Sequence, residues 1–219
     1  MSYSKETEKQ LTELLGEIEG RKEHEYAAAT YQDVPALKEI VRLVEEQLEK
    51  DSDESTYVDS IAVLGYAADR YDSLGRYAVS AKFYNQIFTL ALTLKQQYGT
   101  DTEGIDDYLY AALQARNFYI DDDCDDLAGI ATELMNADDA RRIINERKER
   151  RRSLKHDPIE MTDEYLAVID EIEEKVEKSR RAFGHGYCFE VWSLKKSYLL
   201  EHDIEWQTPS ELNPRVLFD

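Results

Sequence analysis

The chain has 219 residues and a formal net charge of −20, from 47 acidic and 27 basic side chains. Apolar residues make up 42%, with only 9 Gly and 4 Pro, which excludes collagen-like, low-complexity and wholly disordered chains. A chain of this length buries roughly 70% of its unfolded surface without help from a disulfide or a metal, and 2 Cys exclude a disulfide framework. The polar stretch 1–10 lacks the apolar region of a secretory signal, and no run reaches the roughly 18 apolar residues of a membrane span, so the expected location is cytoplasmic. The acidic balance repels nucleic-acid phosphates and favours a basic partner. Tyr is over-used, with 15 against 6 Phe and 2 Trp. Its apolar ring and polar tip suit positions between helices and half-buried grooves.

Leu11, Leu14, Leu15 and Ile18 recur at helical spacing. Asp33 is an N-cap candidate with Pro35 in the first turn, followed by the stripe Leu37, Ile40, Val41, Val44 and Leu48. After a polar break at 51–55, a helix carries Tyr57, Ile61, Leu64, Ala68 and Tyr71, and Gly75 stops it. Its partner runs from near Arg76 past Leu94, holding Tyr77, Ala81, Tyr84, Ile87, Phe88 and Ala91, and Gly99 closes it. Further helices are expected from Ile105 to about Tyr119, from Leu127 to about Met135, and from Asp138 into a basic run. Charge alternates in blocks: residues 99–140 hold twelve acids and one base, and residues 141–155 hold eight bases and two acids. The last long helix is capped by Thr162, has Asp163 and Glu164 in its first turn, and carries Tyr165, Ile169, Ile172 and Val176 on one face. Lys175, Lys178, Arg180 and Arg181 fill its end. A shorter helix spans about 187–201, an irregular tail follows, and no sheet is expected.

One pair of helices has size-alternating positions. Small Ala68 and Ser80 sit where two helices approach, Tyr71, Tyr77 and Tyr84 flank them, and Gly75 makes the turn. In these positions Leu64 to Leu94 resembles a tetratricopeptide (TPR) repeat. A weaker copy matches Ala115 to Ala68 and Phe118 to Tyr71, with Asp122, Cys124, Leu127 and Ala131 replacing Gly75, Tyr77, Ser80 and Tyr84. The resemblance implies helical hairpins stacked in a right-handed superhelix, whose concave face binds peptides. The candidates on that face are Tyr66, Asp69, Arg70, Tyr110, Gln114 and Asn117, with Arg70 and Arg116 at equivalent places. Such an Arg pairs either with a peptide carboxylate or with a carboxylate of its own chain. The other arrangement open to these helices is a plain bundle.

The block 184–219 carries Cys188, Trp192, Lys195, Lys196, Trp206, Pro209, Asn213, Pro214 and Phe218-Asp219. It resembles the ending of a group of small bacterial proteins with no assigned activity. Trp206, Leu212, Val216, Leu217 and Phe218 are too apolar for a free tail. The tail is expected to fold back as a cap on the helical stack; the rival role is a docking motif that inserts into a partner.

Chemical motifs are sparse. His185, Cys188 and His202 lack the spacing of a closed zinc site. Asp121, Asp123 and Asp125 have calcium-loop spacing, but Asp126 stands where the loop needs Gly. Arg180 and His185, with four residues between them, resemble the Arg-x4-His element of the HEPN ribonucleases, in which that pair acts on RNA; here Arg181 replaces the polar residue, and Gly184 and Gly186 flank the His.

The resulting expectation is an all-α fold with residues 1–202 as a TPR-like helical-repeat domain and 203–219 as a tail packed on it. Its function is a non-catalytic protein- or peptide-interaction module with an acidic, Tyr-rich groove for a basic or amphipathic segment. No cofactor, metal, membrane or nucleic acid is expected. A second copy of the chain is a further partner class, and the HEPN-like ribonuclease is the enzymatic alternative.

Overall fold

The computed structural model describes residues 3–21, 29–51, 53–102, 104–105, 107–108, 154–181 and 186–218. Every regular element among the described residues is helical, and no strand occurs among them. They fall into two compact units, 3–108 and 154–218. Helices are numbered here among the described residues.

In the first unit, α1 (Lys5–Arg21), α2 (Val34–Lys50), α3 (Glu54–Ser73) and α4 (Tyr77–Thr93) pack in sequence, each against the next. A π-helical turn, Leu94–Tyr98, continues α4 and ends at Gly99 with φ +71°. Polar contacts fix the directions. Tyr3 meets Ser60 at 2.9 Å and Glu19 meets Tyr66 at 2.8 Å, so α1 and α3 run the same way. Asp33, at the start of α2, meets Arg21 at the end of α1 and Arg70 near the end of α3. Helix α2 therefore runs against both. Between them lie the apolar stripes: Leu11 and Ile18, then Leu37, Ile40 and Val44, then Leu64 and Ala67, each almost completely buried.

The α3–α4 hairpin forms where the size pattern places it. Gly75 has φ +71°, its N–H donates to the Asp72 carbonyl at 2.8 Å, and the Arg76 N–H donates to the Tyr71 carbonyl at 2.9 Å. This double closure is the Schellman motif. Ala68 and Ser80 are wholly buried at the crossing, and Tyr71 lies 5.6 Å from Phe83. Thr100 donates to Glu54, so the two helices lie together along their length. A Cβ at Gly75 meets nothing within 4 Å, so the requirement for Gly is conformational. Gly75→Ala is expected to destabilise the first unit by about 1 kcal/mol, with Gly75→Asn costing less; urea unfolding of the two variants tests this.

The second unit holds a 3-10 turn (Pro158–Met161), α5 (Asp163–Ser179), α6 (Tyr187–Leu200) and a single helical turn, α7 (Pro209–Leu212). Thr162 caps α5 by accepting the Tyr165 N–H at 3.3 Å. Tyr165, Ile169, Ile172 and Val176 of α5, Leu199 of α6, and Ile204 and Trp206 of the tail make one core. The tail is thus more ordered than the expected irregular strand of chain. Thr208 accepts the Glu211 N–H at 3.2 Å while Glu211 accepts the Thr208 N–H at 2.7 Å, a capping box that starts α7.

Candidate functional site

The expected groove residues on α3 are committed within the protein. The half-buried Tyr66 donates to Glu19 at 2.8 Å, and burial, reinforced by that carboxylate, pushes its phenol well above the usual range. Asp69 is exposed and accepts the Tyr84 hydroxyl. Burial and then Asp69 raise Tyr84 as well, and burial with the Asp69 charge raises the Asp72 carboxyl. Arg70 takes the second of its two expected roles, pairing with a carboxylate of its own chain, Asp33, at 2.9 Å; the correction is its exposure, which is 8% and not that of a groove face.

The Asp33 carboxylate, 2% exposed, is the centre of this arrangement. It accepts the Thr30 N–H at 3.0 Å and has Arg21 Nε at 3.6 Å from Oδ1. Asp33 stands before α2 as expected, but its side chain serves the ion pair and makes no cap hydrogen bond to the helix. Tyr110, Gln114, Asn117 and Arg116 lie outside the described residues. So do the second repeat copy, the helices expected after 108, the acidic turn 121–126, the basic run 147–152 and His185.

In the second unit the tail is anchored by a polar row. Trp206 Nε1 donates to Glu160 Oε1 at 2.7 Å, and the Gln207 N–H donates to Asp157 Oδ2 at 2.6 Å. Asn213 exchanges two hydrogen bonds with the Lys155 backbone, at 2.8 and 2.9 Å. Lys196 pairs with Glu211. Lys195 Nζ lies 4.9 Å from the centre of the Trp206 ring and 5.4 Å from that of Tyr165. Arg180, the Arg of the Arg-x4-His element, donates to Glu177 and to Tyr187, and its guanidinium lies over the Tyr187 ring.

Burial raises the Glu160 carboxyl, but the hydrogen bond from His156, the Lys195 charge and the Trp206 N–H together outweigh it and hold it below its ordinary value of 4.5. A carboxyl lowered by folding stabilises fully above its unfolded value and loses that contribution as pH falls through the folded one. The second unit should therefore weaken as pH drops below 4.5, the ordinary value of this carboxyl, and the weakening should be smaller in Glu160→Gln. Tryptophan fluorescence followed through an acid titration checks this.

Two surface features lie beside this row. A half-open pocket of about 570 Å³ is lined by Asp157, Lys196, Leu200, Ile204, Glu205, Trp206 and Gln207. Along α6 and the tail, Phe189, Leu200, Val216 and Leu217 are exposed. Trp192 stacks edge-on with Phe189 at 5.5 Å and with Phe218 at 5.0 Å. Sequence reasoning flagged the apolar tail but missed Asp157, Glu160 and Glu205; the Thr208-to-Glu211 spacing was the one signal for how the tail is shaped. Among the described residues, no group of three or more His, Cys, Asp or Glu could hold a metal ion, and no helix is long and apolar enough to cross a membrane. No family model matches the chain, and no curated protein or solved structure matches it either.

Proposed function

We propose that the protein is a non-catalytic, cytoplasmic interaction module that receives a basic or amphipathic segment of another protein. The observation that carries this reading is the exposure of Phe189, Leu200, Val216 and Leu217 on a small helical unit of a chain with net charge −20. Apolar contact area within an acidic field matches a segment that is apolar on one side and basic on the other. The finer fold reading belongs with it: the α3–α4 hairpin is one repeat of a TPR-like right-handed stack. The buried small residues Ala68 and Ser80 and the Gly75 turn support it.

Titration of the full chain with a synthetic amphipathic peptide bearing Arg tests the function. Binding should weaken strongly as salt rises from about 0.05 to about 0.5 M. A charge-inverted peptide should not bind. His185→Ala should leave the affinity unchanged. RNA cleavage by the wild type that His185→Ala abolishes would instead establish the ribonuclease reading.

A further inference from the structure

Helix α6 is apolar over a wide arc, with Ser193 and Ser197 exposed on its polar side. One side packs into the second unit's core through Leu199, with Val191, Trp192, Leu194 and Tyr198 partly buried. Beside that side lie Phe189, Lys196 and Leu200, which share one face with the partly buried Trp192 at spacings of three, four and four; the tail meets this face at Trp192 through Phe218 and at Lys196 through Glu211. Phe189 is 47% and Leu200 60% exposed. From Phe189 to Leu200 this face is about 16 Å long, about three helical turns. It runs from the Phe189–Trp192–Phe218 cluster to the pocket, whose rim Leu200 forms.

The chemistry of the pocket is one-sided. Lys196, its single cation, is matched by Glu211 at 2.7 Å. That leaves Asp157 and Glu205 as its unbalanced charges. Asp157 is held in place by the N–H groups of Ile159 at 3.0 Å and Gln207 at 2.6 Å. Each of its oxygens has one further acceptor site. Glu205 is exposed and makes no ion pair among the described residues. Leu200, Ile204 and Trp206 supply apolar wall beside these acids. An aliphatic stem ending in a cation fits such a lining, and an anion is repelled by it.

We propose that this pocket takes a Lys or Arg side chain of an amphipathic helical peptide whose apolar face rests on the exposed Phe189 and Leu200. This deepens the function proposed above by assigning the partner segment to the second unit in place of the α3 face.

The test is a fluorescence-anisotropy titration of the full chain with a labelled Leu/Arg amphipathic peptide. Glu205→Gln and Leu200→Ser, both at exposed positions, should each weaken binding about tenfold with unchanged urea midpoints. Asp69→Asn on α3 should not weaken it. A peptide of the same composition with its apolar face scrambled should bind at least about tenfold more weakly than the patterned one. Binding that ignores both second-unit variants overturns the site while leaving the partner class standing, and a loss confined to Asp69→Asn returns the site to α3. Equal binding of the scrambled peptide overturns the site as well, since charge alone then accounts for the affinity. Absence of any binding by the wild type overturns both the site and the function. Self-association of the chain that Glu205→Gln abolishes overturns the separate-partner assignment in favour of a second copy.

Discussion

Arg70→Met should destabilise the first unit by about 3–5 kcal/mol, far more than an ordinary Arg substitution on a helix. The reason is what remains behind. Asp33 is 2% exposed, and Arg70 at 2.9 Å lies closer to it than Arg21 at 3.6 Å. Without it, the carboxylate keeps the Thr30 N–H at 3.0 Å and Arg21 at 3.6 Å, and Oδ1 is buried with no hydrogen-bond partner of its own. Water cannot reach the charge without opening the junction of α1, α2 and α3. Asp33→Leu combined with Arg70→Met should recover most of the loss, because an apolar pair replaces the stranded charge. Urea unfolding of the two single variants and the double variant closes the cycle. Additive losses would mean that the two residues act independently, and that this ion pair does not join α2 to α3.

The same pair shows where sequence reasoning reaches its limit. Helix positions were readable because each depends on neighbours three and four residues away: the α2 stripe, the Thr162 cap and the Gly75 turn all stand where local pattern puts them. Arg70 was readable as a helix residue but not as a buried one. Its partner is 37 residues away, and a charged residue beside Asp69 on a helix reads as solvated until the contact is known. Asp33 was readable as a helix start for a reason that fits many Asp residues, whereas its actual use is tertiary. Likewise, Glu160 and Asp157 gain meaning only from Trp206 and Gln207, 46 and 50 residues later respectively. The pocket that Asp157 lines comes from a loop, a helix end and a tail meeting, which no spacing rule encodes. The burial of Trp206, by contrast, was legible from composition, but the same reasoning fails for Val216 and Leu217, which are 43% and 99% exposed.

Trp206→Ala should cost the second unit about 3–5 kcal/mol. Trp206 is 3% exposed and is the largest of the seven buried residues that form this core among the described residues, so its loss leaves a large space to fill. The loss has a polar part, because Glu160 loses the indole donor at 2.7 Å and Lys195 loses the ring beneath it. Trp206→Phe separates the two: it keeps the ring and removes the donor, and should cost about 1–3 kcal/mol. Removing everything after His202 goes further, taking away Ile204 and Trp206 together with the Asn213 and Glu211 anchors. The α5 face formed by Tyr165, Ile169 and Ile172 would then be wet. The truncated chain should bind an apolar dye or aggregate, as a covering role for the tail requires. A truncated chain that stays soluble, binds no dye and unfolds at the wild-type urea midpoint would instead make the tail a docking motif, with Trp206 free to serve a partner.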